Sequence, residues 1–308
     1  MVRMVLGLAL CGACGDVKDL EPDAPRPSDG PPVDVAPADS SGPRCDPNKP
    51  FGAPVAIPEL ASSANDYHAS LSPDELQIMF ASDRMGGTGM IDIFLSTRTS
   101  TSATFSAPAL LAGVNTSGND SRPITTADGL TLYAEVTRGA GWHLASATRA
   151  STSVGFSALS DVSSLNSGTS EVAPFVLPDH SAVYFVSSRN GASELYRAAR
   201  VDGAFMTPQL VEGTDLVGNG AKDYPALTPD ELTMYFTSNR AGGSGGNDIW
   251  VMSRSSVVTA FGAPVNLGPT INTAETDSPS WVSADNCVLY LSRFGGTNYD
   301  LFVATKPL

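Results

Sequence analysis

The stretch YPALTPDELTMYFTSNRAGGSGGNDIWVMSR, residues 224–254, is the most informative about the fold because four other parts of the chain repeat its pattern. It contains a short apolar run, a Thr-Pro-Asp-Glu turn, an apolar run ending in arginine, and a glycine-rich turn that leads into Asp-Ile-Trp. Adjacent proline and aspartate are typical of tight turns, because proline fixes φ and aspartate accepts hydrogen bonds from nearby backbone amides. The stretch therefore predicts three β-strands joined by two turns.

Working outward from this stretch, the chain from residue 51 onward divides into five similar pieces, each about 50 residues long. The pieces begin at Phe51, Phe105, Phe156, Phe205 and Phe261. The sequence Phe-Gly-Ala-Pro-Val occurs at residues 51–55 and again at 261–265. Several strands contain consecutive apolar residues in place of alternating apolar and polar ones, which is typical of strands covered on both faces. A repeat of this length and composition indicates a propeller or a solenoid.

The repeat resembles that of the TolB-like, WD-type β-propellers. Its shared elements are Ser-Pro-Asp-Glu, an apolar strand with Tyr-Phe, Ser-x-Arg, Gly-Gly, and Asp-Ile before an aromatic residue. The similarity covers most of residues 51–308, although the second repeat has Gly141 and Trp142 at the glycine-rich turn and the third has a shortened turn before Glu194. The resemblance implies an all-β, five-bladed propeller of four-stranded antiparallel blades, and protein-interaction work in the cell envelope.

The two ends of the repeat region predict how the ring closes. The first piece begins with an outer strand that has no inner strands before it, and the last piece lacks an outer strand. We therefore expect residues 51–57 to complete the last blade, which removes a free sheet edge. Cys45 and Cys287 then belong to one sheet, and we expect a disulfide between them if their Cα atoms lie within roughly 7 Å. Two buried free thiols are the alternative.

The N-terminal segment has the composition of an export signal. Residues 1–14 carry one arginine, a short apolar run and small residues before Cys14, and they resemble a bacterial lipoprotein signal with Cys14 as the lipidated residue. Cys11 departs from the aliphatic residue usual at its position, and an ordinary secretion signal or a later start codon is the alternative. Residues 15–44, rich in proline and aspartate, predict a disordered tether before a propeller spanning residues 45–308.

Composition excludes several function classes. The net charge of -14 and the pI near 4.5, without a local cluster of lysine and arginine, argue against nucleic-acid binding and against anionic membrane surfaces. Membrane attachment is expected through the lipid anchor alone. The three histidines fall in different repeats without ligands at metal-binding spacing, so neither a metal nor another cofactor is expected. We expect a monomer.

Two sets of charged residues recur once in each repeat. An acid precedes each innermost strand, and an arginine ends each second strand. The acids are Asp66, Asp120, Glu171, Asp223 and Asp277, and the arginines are Arg84, Arg138, Arg189, Arg240 and Arg293. Because adjacent strands run antiparallel, both sets are expected at one mouth of the axial channel. Their repetition favours a structural ring of ion pairs; the alternative is a polar mouth in which the acids bind a ligand.

The sequence contains no nucleophile elbow, P-loop or dinucleotide fingerprint, so it predicts no catalytic residue. The leading hypothesis is a non-enzymatic, envelope-anchored propeller of the bacterial cell that recognises a protein or glycan partner through the channel mouth. The alternative is a glycoside hydrolase or lectin-like propeller that uses carboxylates at that mouth, because such hydrolysis requires two suitably spaced carboxyl groups.

Overall fold

The computed structural model describes residues 42–139, 141–213 and 222–308, and within them the chain is a five-bladed β-propeller, as predicted. The predicted signal, the predicted lipidation site Cys14 and nearly all of the predicted tether lie outside the described residues. No helix occurs in the described part of the chain. Each blade is an antiparallel sheet, and in the first four blades the strands follow one another in sequence from the axis outward, whereas the outermost strand of the fifth blade is β1, from the start of the propeller.

The first two blades are formed by β2 (Asp66–Leu71), β3 (Gln77–Ser82), β4 (Asp92–Thr97) and β5 (Ala109–Leu110), and by β6 (Asp120–Thr125), β7 (Thr131–Arg138), β8 (Gly141–Thr148) and β9 (Ser160–Asp161). The third comprises β10 (Glu171–Val176), β11 (Ala182–Ser187), β12 (Glu194–Val201), β13 (Ala204–Phe205) and β14 (Gln209–Leu210). The fourth comprises β15 (Asp223–Leu227), β16 (Thr233–Ser238), β17 (Asp248–Ser253) and β18 (Val265–Asn266). The fifth comprises β19 (Asp277–Val282), β20 (Val288–Phe294), β21 (Tyr299–Thr305) and β1 (Val55–Ala56).

The second strand of each blade supplies much of the core. Every residue of β11 is buried, with the side chains of Tyr184 and Phe185 fully excluded from solvent. Burial on both faces explains why these strands read as continuous apolar runs, since each blade packs between two others. This two-sided packing makes the blades a single scaffold that fixes the position of the channel residues.

The ring closes in the fifth blade as predicted. Strand β1 pairs with β21, placing Val55 opposite Val303 and Ala56 opposite Phe302. Beside this joint, Cys45 and Cys287 form a disulfide with their Cα atoms 5.7 Å apart. The N-terminal strand and the last blade are thus joined covalently as well as by backbone hydrogen bonds.

The aspartates of the hairpin turns are structural, as their Pro-Asp context predicts. In the first blade, Asp74 accepts hydrogen bonds from the Ser72 hydroxyl at 2.5 Å and from the Leu76 amide at 3.0 Å. Asp128 and Asp230 hold the same two contacts in the second and fourth blades. One oxygen of each of these carboxylates closes the turn.

The phenylalanine that opens most repeats is buried beneath a cation from the end of a third strand. The guanidinium carbon lies over the ring centroid at 4.5 Å for Arg98 on Phe105. The same contact occurs for Arg149 on Phe156, Arg254 on Phe261 and Lys306 on Phe51. These cation–π contacts, which the sequence analysis did not identify, give a physical reason for the recurrence of phenylalanine.

A buried charge cluster joins the third and fourth blades. Glu231 accepts hydrogen bonds from the Tyr184 hydroxyl at 2.5 Å and from Arg197 at 2.6 and 3.0 Å, and Arg254 lies 3.6 Å away. Burial would raise the pKa of Glu231, but the hydrogen bonds from Arg197 and Tyr184 outweigh it and hold the pKa below its ordinary value. The carboxylate therefore stabilises the fold in its ionised form.

We expect Glu231→Gln to lower the free energy of unfolding by about 2 kcal/mol at pH 7, because it weakens charge-assisted hydrogen bonds. A carboxyl whose pKa is lower in the folded state stabilises the fold above its unfolded pKa, and this stabilisation is lost as the pH falls through the folded pKa. Urea denaturation at a series of pH values should therefore show the two proteins converging in acid. Glu212→Gln, at an exposed acid, is the control; a difference that stays constant down to acid pH would contradict the assignment.

Candidate functional site

The innermost strands carry an irregularity that shapes the axial channel. The pairing of each with its neighbour shifts register after the first residues of the strand. In four blades the residue at this bulge has a positive φ, between 53° and 62°: His68, Arg122, Ala173 and Tyr224. Such a conformation is unfavourable for residues other than glycine, and strained backbone of this kind is typical of functional sites. The bulge redirects the side chains next to it.

A cavity of about 270 Å³ lies at the end of the axis where the innermost strands begin. It is lined by Tyr67, His68, Ile91, Ser121, Glu135, Trp142, Tyr224, Ser278, Ser292 and Tyr299. Four aromatic rings, contributed by three tyrosines and a tryptophan, thus surround hydroxyl groups, one imidazole and one carboxyl group. A concave site that combines aromatic walls with a few polar groups is typical of small-molecule binding.

Glu135 is the carboxylic acid of this lining. Its side chain is 6% exposed, and one carboxylate oxygen accepts a hydrogen bond from the Ala173 amide at 2.7 Å. Burial raises the pKa of Glu135, whereas Arg122 and the Ala173 amide act against that rise. The residue presents a hydrogen-bond acceptor at the cavity wall.

Arg122 lies behind that wall. Its guanidinium stacks on the Tyr224 ring with the central carbon 3.7 Å from the ring centroid. The Nε and Nη2 atoms are buried and have no hydrogen-bond partner among the described residues. Burial lowers the pKa of Arg122, and the nearby carboxylates of Glu135 and Asp223 act in the opposite direction. We interpret Arg122 as the buried counter-charge of these two acids.

His68 contributes a neutral imidazole to the cavity. Burial, reinforced by the charge of Arg122, lowers the pKa of His68 well below its ordinary value, so the ring is uncharged at pH 7. Its Nδ1 atom lies 3.2 Å from the Ser121 hydroxyl, and its backbone amide donates to the Ser292 hydroxyl at 2.9 Å. These contacts fix the ring across three blades.

The opposite end of the channel is narrow and apolar. A separate cavity of about 40 Å³ is surrounded there by the ends of all five innermost strands, with Phe175, Leu227 and Trp281 among its lining residues. The cavities at the two ends of the axis therefore differ in size and in chemistry.

The acids predicted at the channel mouth occupy a different place. Asp66, Asp120, Glu171 and Asp277 are each 0% exposed, and none of them lines the cavity. Each accepts a hydrogen bond from the backbone amide of the residue four positions earlier, for example Thr273 to Asp277 at 2.7 Å. We therefore assign these four carboxylates a structural role in closing their loops. The residues placed to contact a ligand are Glu135 and the other residues that line the cavity.

Asp223 does not belong to this set. The other four acids lie eight residues before the turn aspartate of their blade, as Asp66 lies before Asp74, whereas Asp223 lies seven before Asp230. The equivalent residue is Lys222, which is 3% exposed and forms an ion pair with Glu194 at 2.9 Å. The one-residue shift leaves Asp223 half-buried near Arg122, and burial raises its pKa.

The predicted arginines pair with these acids in three blades. Arg84 contacts Asp66 at 2.5 Å, Arg293 contacts Asp277 at 2.6 Å, and Arg189 lies 3.7 Å from Glu171. Arg138 instead lies 3.4 Å from Asp161, and Arg240 stacks over Phe236 and Trp250.

Asp120 consequently has no ion pair among the described residues, and its Oδ1 atom is buried without a hydrogen-bond partner there. Burial raises the pKa of Asp120, although its hydrogen bonds to Thr116 oppose the rise. The ring of ion pairs is thus incomplete.

The cavity residues are not among the residues that the repeats share, so the repeat pattern does not reveal them. The two positions after each acid vary from repeat to repeat, reading Tyr-His, Ser-Arg and Val-Ala in the first three blades. Variation at these positions inside an otherwise repeated strand was the available signal. Trp142, at the turn where the second repeat departs from Gly-Gly, was a further one.

Two general features of the described chain bear on the site. No group of three or more histidine, cysteine, aspartate or glutamate side chains within residues 42–139, 141–213 and 222–308 is arranged to hold a metal ion. Over the same residues, no helix is long and apolar enough to cross a membrane.

No protein-family model and no curated protein matches the chain. Solved structures do resemble its fold. An α-L-arabinofuranosidase of Podospora anserina in complex with cellotriose aligns with a TM-score of 0.55 and 12% identity over 85% of this chain and 98% of the other. The catalytic domain of a Coprinopsis cinerea α-L-arabinofuranosidase aligns with a TM-score of 0.52 and 13% identity over 84% of this chain and 97% of the other. TolB from Acinetobacter baumannii aligns with a TM-score of 0.47 and 15% identity over 81% of this chain, and the alignment covers 56% of the length of TolB. At these identities the likeness concerns the fold alone.

Proposed function

We propose that the protein is a non-enzymatic binding propeller that recognises a glycan in the axial cavity. The observation that carries this proposal is the composition of the cavity wall, where four aromatic rings surround one carboxyl group, one neutral imidazole and several hydroxyls. Sugar hydroxyls both donate and accept hydrogen bonds, whereas the faces of sugar rings are apolar and pack against aromatic side chains. The cavity offers partners for both parts of such a ligand.

The same wall favours binding over hydrolysis. Glycoside cleavage requires a pair of carboxyl groups flanking the scissile bond, about 5 to 9.5 Å apart. Among the described residues, Glu135 is the one carboxylic acid that lines the cavity. Asp223 lies near Arg122 but does not line the cavity. The acids that precede the other innermost strands are buried in their loops. A single acid can orient a hydroxyl group without cleaving a glycosidic bond.

Trp142→Ala is expected to weaken glycan binding roughly tenfold, which corresponds to about 1.4 kcal/mol, because it removes one half-exposed aromatic wall. A glycan array would identify the ligand, and titration calorimetry would measure its affinity for the two proteins. Trp281→Ala is the matched control, since it removes a half-buried tryptophan from the opposite end of the channel. An unchanged affinity for Trp142→Ala in a folded protein, or an array without any specific signal, would contradict glycan binding in this cavity.

The proposal includes export and anchoring by a lipid on Cys14, with the folded protein held away from a bacterial envelope membrane as a monomer. It rests on the signal-like residues 1–14 and on the proline-rich segment that follows them. Labelled palmitate should enter the wild-type protein but not Cys14→Ser. Equal labelling of both proteins, or none of either, would contradict lipidation at this residue.

A further inference from the structure

The charged and polar side chains that line the axial cavity restrict the charge of its ligand. No lysine or arginine lines the cavity in the described part of the chain. Arg122 is a buried cation that stacks on the cavity residue Tyr224, and its Nε and Nη2 atoms are shielded from solvent. The cavity therefore offers no accessible counter-ion to a ligand carboxylate.

The acids around the wall outnumber the cations. Glu135 and Asp223 both lie within electrostatic reach of Arg122, so one cation faces two acids. An anionic ligand placed beside Glu135 would add a like charge at short range in a partly buried site, where screening by water is weak. The overall charge of -14 acts in the same direction. Uncharged hydroxyl groups, by contrast, can donate to Glu135 without this repulsion.

The shape of the channel restricts which part of a glycan can enter. The cavity volume of about 270 Å³ is below the range of about 300 to 1,000 Å³ typical of drug-sized ligands. At the other end of the axis, the separate cavity beside Phe175 and Trp281 has a volume of only about 40 Å³, which leaves little room for a polymer to pass through the axis. A cavity of the size of the polar one suits one terminal unit.

Resting on the proposed glycan binding, we propose that the axial cavity takes a single uncharged terminal sugar unit, with Glu135 accepting its hydroxyl groups and excluding uronic acids. Glu135 is thus a specificity-determining residue as well as a binding residue. The charge of its carboxylate sets the preference, and its position beside Ser121 and the Ala173 amide orients the accepting oxygen.

The test uses pairs of ligands that differ only in charge. The probes are neutral methyl glycosides of the common pyranoses and the methyl glycosides of the matching uronic acids, titrated against the full-length protein at pH 7. We expect each neutral member that binds to bind at least tenfold more tightly than its uronic acid. Glu135→Gln should narrow this ratio at least threefold, whereas Glu212→Gln, at an exposed acid away from the cavity, should leave it unchanged.

A second experiment tests whether the cavity binds only the terminal sugar unit of a glycan. A tagged oligosaccharide that binds should lose at least tenfold in affinity when a further sugar is added to its recognised terminus, but not when its other end is extended. Binding of neutral sugars and uronic acids with equal affinity, or equal binding of internal and terminal units, would overturn this inference while leaving glycan binding intact. If neither neutral nor acidic sugars bind, the proposed function itself fails.

Discussion

Removing the disulfide by the double substitution Cys45→Ala and Cys287→Ala is expected to lower the free energy of unfolding by about 2 to 5 kcal/mol. The two cysteines are 242 residues apart, so the bond closes almost the entire propeller into one loop. In the chain-entropy account, long loops gain most from such a cross-link, because the unfolded chain loses more conformations. Urea denaturation of the oxidised wild type and of the double variant would measure the difference.

Reduced wild-type protein provides the control for this prediction. It keeps both cysteine side chains and should unfold at a urea concentration close to that of the double variant. Both thiol positions are buried, so alanine also removes a little packing. A loss below about 1 kcal/mol in both samples would show that the hydrogen bonds between β1 and β21 close the ring without help from the covalent bond.

Gly89→Ala is expected to destabilise the protein by about 3 kcal/mol or more, because the new methyl group has no space. A Cβ atom at residue 89 would collide with the backbone carbonyl oxygens of Gly118 and Thr116, the latter at 2.7 Å. These oxygens belong to the loop before β6, so the clash would push the first and second blades apart. Thermal unfolding and backbone amide exchange in residues 116–120 would report the effect.

Gly245, in the fourth blade, provides a comparison for Gly89. Gly245 meets the backbone of Thr273 and Ala274 in the same way at the fourth blade, so Gly245→Ala should have a similar effect. Gly155→Ala is the control, since nothing lies within 4 Å of its Cβ position. Similar stability of Gly89→Ala and Gly155→Ala would contradict the close packing of these loops.

The fold could be predicted from the sequence because its determinants are local and repeated. Proline and aspartate set the hairpin turns, and five similar pieces with a surplus strand at one end require ring closure in the last blade. The pairing of β1 with the last blade follows from that requirement, although its register does not. The bulges could not be predicted, since residues with positive φ such as His68 and Arg122 carry no sequence signature of that conformation.

The candidate site was harder to predict for the opposite reason. A binding site breaks the symmetry of the repeat, whereas pattern recognition finds what is repeated. The acids before the innermost strands recur because each closes its own loop, and the single-residue shift at Lys222 was hidden by the acid beside it. Glu135 sits within an apolar strand, where only the paired structure of β6 and β7 shows that it reaches the cavity wall beside Ser121.

A crystal structure of the protein soaked with the neutral glycan that binds most tightly would show whether the axial cavity binds a terminal sugar. We expect an intact terminal sugar unit in the axial cavity, stacked against Trp142 or its neighbouring tyrosines and donating a hydroxyl hydrogen bond to Glu135. Density for the sugar elsewhere, such as the groove beside Met206 and Val258 between the third and fourth blades, would contradict it. So would a cleaved glycan in the cavity, which would establish hydrolysis in place of binding.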